Sequence, residues 1–340
     1  MSQFDLIKNL AKHSLENDRE QLLHALNQLV EHSRKTNKLN FALQLQSIIR
    51  DSLQSKTSTL TKVGSDAWKQ RVEDRETGDL ILDKITSDYS FEYLIADSQV
   101  TEELHMFVNE HKSAEILRTY GLPISNKILF HGPSGCGKTL ASYVLAGELS
   151  KMLIVVNLGA IVSSKLGETS KNLAKIFHRA ASENCAILLD EFDSLGKVRD
   201  YDQDHGEMKR VVNTILQLFD YLPQSTIVIA ATNQVNMLDE ALMRRFDVNV
   251  KFDLPNQSQI QDLINLTLKQ DLVTLPQNSL MPMAKFALGL SYYSVQKTLI
   301  TAIKRSLFAH LATGKSTKPV VDVTIWKKLI EAEKKSLGVI

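Results

Sequence analysis

The sequence is poor in cysteine, in net charge and in long apolar runs, and each shortage removes a class of protein. Only Cys136 and Cys185 occur among 340 residues, which excludes a disulfide framework. Cys136 also lies in a glycine-rich loop that a disulfide would obstruct, so a reducing, cytoplasmic setting is expected. Forty Lys and Arg against 39 Asp and Glu leave a net charge of +1. That balance gives no general electrostatic reason for a nucleic-acid partner. No apolar run approaches the roughly 18 residues that span a bilayer, so no membrane association is expected. Met1–Asp5 does not open a charged-then-apolar leader. There is no internal repeat, no low-complexity tract and no local serine-protease motif. What is left is an ordinary globular composition, long enough for more than one folded unit.

One stretch organises the rest. Ile128, Leu129 and Phe130 read as a buried strand, and Leu140–Ala146 reads as a helix. Between them run Gly132, Pro133, Ser134, Gly135, Cys136, Gly137, Lys138 and Thr139, which fit G-x-x-x-x-G-K-[ST] in its strand–loop–helix setting. Glycines let the backbone wrap a phosphate, with N–H groups at the helix start pointing inward. Lys138 then reaches the β- and γ-phosphates, and the Thr139 hydroxyl ligates Mg²⁺.

Three later features complete a hydrolysis set. An apolar run from Cys185 ends in Asp190 and Glu191. Asp190 at a strand end suits Mg²⁺, and Glu191 suits the polarisation of a water. Asn233 ends the strand Ile227–Thr232; if that strand neighbours the one bearing Asp190, its amide can orient the attacking water. Arg244 and Arg245, between apolar anchors, suit stabilisation of phosphate charge across a contact between subunits. Each feature also has a plain reading alone: a solvated acidic turn, a turn-forming Asn, a solvated basic pair. Together, in one order behind a phosphate loop, they argue for hydrolysis of a bound nucleotide at its γ-phosphate.

The remaining chain is read by periodicity. Residues 3–54 carry three apolar stripes at helical spacing, for example Leu22, Ala25, Leu26, Leu29 and Val30, which suggests an N-terminal helical bundle over 1–54. Residues 54–66 are polar and rich in Ser and Thr, and 55–90 is expected as a linker. A helix is expected from Ser98 to about Leu117, preceded by Leu94 and Ile95, which either touch an adenine ring or pack in the core. Strands alternate with helices between 91 and 254. This predicts an α/β domain with a parallel sheet and helices on both faces. From 255 to 340 the pattern is helical, and a small C-terminal helical lid domain is expected.

Over roughly residues 90–312 the chain resembles the AAA-family ATPases. The matching residues are Gly132–Thr139 (Walker A), Ile187–Glu191 (Walker B), Asn233 (sensor 1) and Arg244 with Arg245 (arginine fingers). The resemblance implies ATP and Mg²⁺ as ligands and a homo-oligomeric ring, usually a hexamer. It also implies hydrolysis at subunit interfaces to remodel or control a protein. Two departures stand out. Lys165 in Ser164–Thr169 occupies the place where substrate-threading members carry an aromatic residue. Tyr292 and Tyr293 occupy the region of a Gly-Ala pair, and Arg305 lies too far along its helix to serve as sensor 2. The layout, with Ser164–Thr169 and Asp190–Lys197, is also similar to bacterial AAA ATPases that pair with a separate subtilisin-like protease in toxin–antitoxin or defence systems. The alternatives are therefore a nucleotide-gated regulator of such a protease, or a DNA-linked helicase-loader ATPase, against which the near-zero net charge argues.

Overall fold

In the computed structural model the residues described are 26, 28–30, 32, 33, 38, 61–63, 81–156, 158, 169–194, 205–268, 273–312 and 318–338. Strands β1 (Thr61–Val63) and β2 (Ile81–Ser87) lead into helices α1 (Ser98–Lys112) and α2 (Ala114–Thr119). Then β3 (Lys127–His131), α3 (Lys138–Glu148), β4 (Leu153–Val156), α4 (Thr169–Glu183), β5 (Ala186–Leu189), α5 (His205–Tyr221), β6 (Ile227–Thr232), α6 (Glu240–Met243) and β7 (Val248–Lys251) follow. Helices α7 (Gln257–Leu268), α8 (Leu280–Phe286), α9 (Tyr292–Ala312) and α10 (Val323–Ser336) complete the chain.

The strands form one sheet in the order β1-β2-β4-β5-β6-β3-β7. From β4 to β7 all pairings are parallel. Every residue of β4, β5 and β6 is buried, as parallel strands covered on both faces require. Alternate side chains feed two separate cores. Ile154, Val156, Ile187, Leu189, Val228 and Ala230 join Leu173, Ile176 and Phe177 of α4 and Ile215 and Phe219 of α5. Their neighbours Leu153, Val155, Ala186, Leu188, Ile227 and Ile229 join Leu104 and Phe107 of α1 and Ala141 and Leu145 of α3. The expected α/β architecture with helices on both faces is what the chain adopts.

A third core belongs to the C-terminal helices. Trp326, 0% exposed, fills its centre against Ile260, Ile264, Leu299 and Ile330. Its indole N–H donates to Thr298 Oγ1 at 3.3 Å, which satisfies the one polar atom so enclosed.

Two expectations need correction. The stretch expected as a linker supplies two strands of the main sheet. β2 lies antiparallel against β4, with Ile85 opposite Leu153 and Ile154 opposite Lys84, and β1 runs parallel to β2. The sheet is thus mixed at this edge. The apolar pattern of β2 is interrupted by Lys84, which is nevertheless 7% exposed because its ammonium meets Glu183 of α4 at 2.9 Å. Second, the helix from Ser98 is divided at Ser113, which caps both α1 and α2. The bundle expected over 1–54 and the segment around Lys165 lie outside the described residues, apart from isolated helical positions such as Leu29 and Val30.

Candidate functional site

The phosphate loop joins the carboxyl end of β3 to the first turn of α3. Its glycines are required by position. Gly132 has φ +139°, and a Cβ there would lie 1.9 Å from the carbonyl oxygen of Phe252. Gly135 has φ +74°, and a Cβ would meet Ser291 Oγ at 2.6 Å. No L side chain fits either place without displacing its surroundings.

Lys138 is 7% exposed and folds back over this loop. Its ammonium donates to the carbonyls of Gly132 (2.7 Å) and Pro133 (2.8 Å) and to Asn233 Oδ1 (2.8 Å). All three protons are therefore used. Burial lowers its proton affinity, an effect opposed by Cys136, Asp190 and Asp193 nearby. Cys136 is itself buried, and that burial pushes its thiol up, away from the reactive thiolate.

Asp190 follows β5 directly. Its Oδ2 accepts from the Thr139 hydroxyl at 3.0 Å and its Oδ1 from the Glu191 N–H at 2.9 Å. These are two hard oxygen donors side by side, and no cluster of three metal-ligating His, Cys, Asp or Glu occurs among the described residues. That donor set fits Mg²⁺, which keeps several waters and takes few protein ligands. Glu191 is exposed and sits at φ +53°, an unusual backbone for a residue with a side chain. The turn that holds it is braced by Phe192 N–H to Ala231 O (2.8 Å) and Ser194 N–H to Glu191 O (2.8 Å).

The condition set for Asn233 is met: β5 and β6 are neighbours, with Leu189 opposite Ala230. Lys138, Thr139, Asp190, Glu191 and Asn233 thus gather at the carboxyl ends of β3, β5 and β6, where open parallel sheets hold ligands. The arginines do not join them. Arg244 and Arg245 follow α6 and precede β7, which runs parallel to β3. Asp247 accepts from Asn126 N and Lys127 N, both at 2.9 Å, so this segment lies at the amino end of β3. The five residues of β3, about 16 Å, separate it from the phosphate loop. Arg245 pairs with Asp220 at 2.8 Å and Arg244 with Glu240, and their side chains are 42% and 73% exposed.

These features meet what comparison with known proteins finds. Residues 128–254 match the model of the ATPase family associated with various cellular activities (AAA). The chain carries an AAA domain. An AAA family ATPase of Sinorhizobium fredii, y4kL, is 37% identical over 188 residues, 55% of this chain and 57% of that protein. The ATP-dependent zinc metalloprotease FtsH 3 of Sphaerobacter thermophilus is 30% identical over 256 residues, 74% of this chain and 52% of that protein. The chain thus spans little more than half the length of these relatives. The crystal structure of the FIGL-1 AAA domain superposes with a TM-score of 0.59 at 19% identity, covering 72% of this chain and 83% of that one, which is a likeness of fold.

Beyond the matched residues 128–254, the neighbourhood of Tyr292 departs from a Gly-Ala pair in a way the structure makes concrete. The Tyr293 N–H donates to Gly135 O at 3.1 Å, so the opening of α9 rests on the phosphate loop. Tyr292 packs against both the core of the sheet and that of the C-terminal helices. It also lines a cavity of about 380 Å³ with Asp97, Gln99, Cys136 and Asn256. Leu94 packs in the core of the sheet, 3.8 Å from where a Gly137 Cβ would stand, and Ile95 in the helical core. Arg305 is exposed roughly three and a half turns along α9. Among the described residues no helix is long and apolar enough to cross a membrane. One residue of the site was missed in the sequence. Asp193, three positions after Asp190, is 2% exposed and bonded to the Asn233 segment. The only signal for it was the run Asp190-Glu191-Phe192-Asp193.

Proposed function

We propose that this chain binds and hydrolyses ATP, and that it does so as a ring of identical copies, a hexamer, that remodels or controls a protein partner. The observation that carries the reading is the joining of Lys138 to Asn233 and of Thr139 to Asp190 at the ends of adjoining strands. ATP is the substrate. Backbone N–H groups of Ser134–Lys138 cradle its phosphates, and Lys138 exchanges its loop carbonyls for β- and γ-phosphate oxygens. Thr139 and Asp190 are the donors for Mg²⁺, which supplies neutralisation of phosphate charge. Glu191 takes a proton from the attacking water, and Asn233 orients that water. Arg244 and Arg245 stand too far from their own phosphate loop to touch its ligand, which supports their acting on the site of an adjacent copy.

FtsH 3 is named an ATP-dependent protease, which supports a protein as the partner here. Two free, buried cysteines fit a reducing, cytoplasmic location. The test is Glu191→Gln: turnover should fall by about 10³-fold while ATP binding persists, and unchanged turnover would remove the assignment. A second reading is gating of a separate subtilisin-like protease rather than threading of a substrate. Lys165, where threading members carry an aromatic residue, favours it. ATP-dependent unfolding of a tagged substrate by this chain alone would count against that reading. The net charge of +1 stands against a DNA-linked role, which salt-sensitive DNA binding would revive.

A further inference from the structure

Asn233 lies one residue beyond β6, and that position poses a structural problem. The ladder between β6 and β3 ends at Thr232 opposite His131, and the ladder to β5 ends at Ala230 opposite Leu189. The Asn233 backbone therefore has no strand partner to fix it. Yet its side chain must stay aimed at Lys138 and the phosphates if it is to orient a water. A residue just past a strand end ordinarily samples several conformations, and about 1 Å of misplacement at a reacting centre costs on the order of 10²-fold in rate.

The missing partner is a buried carboxylate. Asp193 Oδ1 accepts from the Asn233 N–H at 3.3 Å and from the Thr232 hydroxyl at 3.1 Å. Thr232, 1% exposed, in turn accepts from the Gln234 N–H at 3.0 Å. One carboxylate thus grips the residue before Asn233 and Asn233 itself, and Thr232 grips the residue after. Asp193 is fixed by the same turn that presents Glu191, through Phe192 N–H to Ala231 O and Ser194 N–H to Glu191 O. A carboxylate taken out of water is costly unless its environment answers the charge. A small polar residue would serve if the turn only needed closing.

We infer that Asp193 is a positioning residue for hydrolysis: it acts through Asn233, holding that amide in register with Glu191, and does not itself touch ATP. This deepens the ATPase reading and rests on it. A purely structural role for Asp193 predicts a loss of stability or of nucleotide binding instead.

The test is a double-mutant cycle on the full chain, reading kcat, the ATP dissociation constant and the melting temperature. Asp193→Ala should lower kcat about 10²-fold with the dissociation constant unchanged within about threefold. Asp193→Asn keeps an acceptor oxygen for both donors and should recover most of that loss. In an Asn233→Ala background, Asp193→Ala should cost nothing more. If the two losses multiply, or if Asp193→Ala leaves kcat intact or weakens nucleotide binding in proportion, the inference is overturned. Should Asp193→Ala not fold, Thr232→Val carries the test, because it removes one donor to the same carboxylate. Its loss in kcat must likewise disappear in the Asn233→Ala background, and persistence there overturns the inference. Absence of turnover in the unmutated chain overturns the ATPase reading and the role of Asp193 together, whereas turnover with multiplying losses overturns the role alone.

Discussion

The two ends of β3 are built in opposite ways. At the carboxyl end, Lys138 is buried and saturated with hydrogen bonds, and Gly132 is packed against the Phe252 carbonyl. At the amino end, Arg244 and Arg245 stand in solvent, each held among the described residues by one surface carboxylate. The first end is preorganised for a ligand that arrives in a fixed pose, where rigidity contributes to catalysis. The second is left accessible, and exposed ion pairs are weak enough, about 0–1 kcal/mol, for a stronger phosphate partner to displace. On the proposed reading, a site divided in this way is complete only when the ends of two copies meet.

Four experiments would break or sharpen that contrast. The largest effect is expected at the rigid end. Glu191→Gln should reduce turnover by about 10³-fold with binding intact, the range for removing a general base; steady-state kinetics beside nucleotide titration reads both. Next comes Gly132→Ala, which should destabilise the fold by about 3 kcal/mol through positive φ and collision with Phe252; urea unfolding measures it. A stable, active alanine variant would mean the loop is far less rigid than drawn.

At the open end, Arg244→Ala or Arg245→Ala should slow hydrolysis by about 10²-fold, below the ~10³-fold of a lone transition-state arginine because two are present. Mixing either with a Lys138→Ala chain should restore turnover if the arginines act on a neighbour, since each copy supplies the half the other lacks. The folding stability of these arginine variants should change by less than about 1 kcal/mol, so loss of both activity and stability would erase the contrast.

The smallest effect concerns the far edge. Burial alone would raise the Glu183 carboxyl, but Lys84 and Arg179 outweigh it and hold the group below its usual value of 4.5. A depressed folded-state pKa contributes stability above the unfolded value and loses it as pH falls through the folded one. Stability should therefore decline below about pH 4.5, and Lys84→Met should flatten that decline. The same substitution should cost about 2 kcal/mol at neutral pH, less than the usual loss for a broken buried pair because Arg179 remains at 3.1 Å from Glu183. Urea titration across pH separates the two readouts.

Much of the site was legible because its chemistry is local. The glycine positions, Lys138 and Thr139 are adjacent in sequence, and a loop between a strand and a helix leaves them few arrangements. Asp190 and Glu191 were legible because a buried strand must end where polar residues begin. Strand β2 was not, because a lysine in the middle of a strand is a local contradiction that only Glu183, 99 residues away, resolves. Asp193 was not, because an acidic residue after Asp190 and Glu191 reads as one more solvated charge. Its burial depends on Thr232 and Asn233 of another strand.

By itself, then, the sequence determined which residues suit phosphate chemistry and that the strands carrying them are buried, since backbone reach and side-chain alternation act over a few positions. Only the tertiary structure decided what those residues face. It set Asn233 beside Lys138, brought Asp193 beneath Asn233, added two strands to the sheet, and put the arginines at the opposite end from the phosphate loop. The physical reason is pairing order. A parallel sheet makes neighbours of strands far apart in sequence, and no local pattern states which edge each will join.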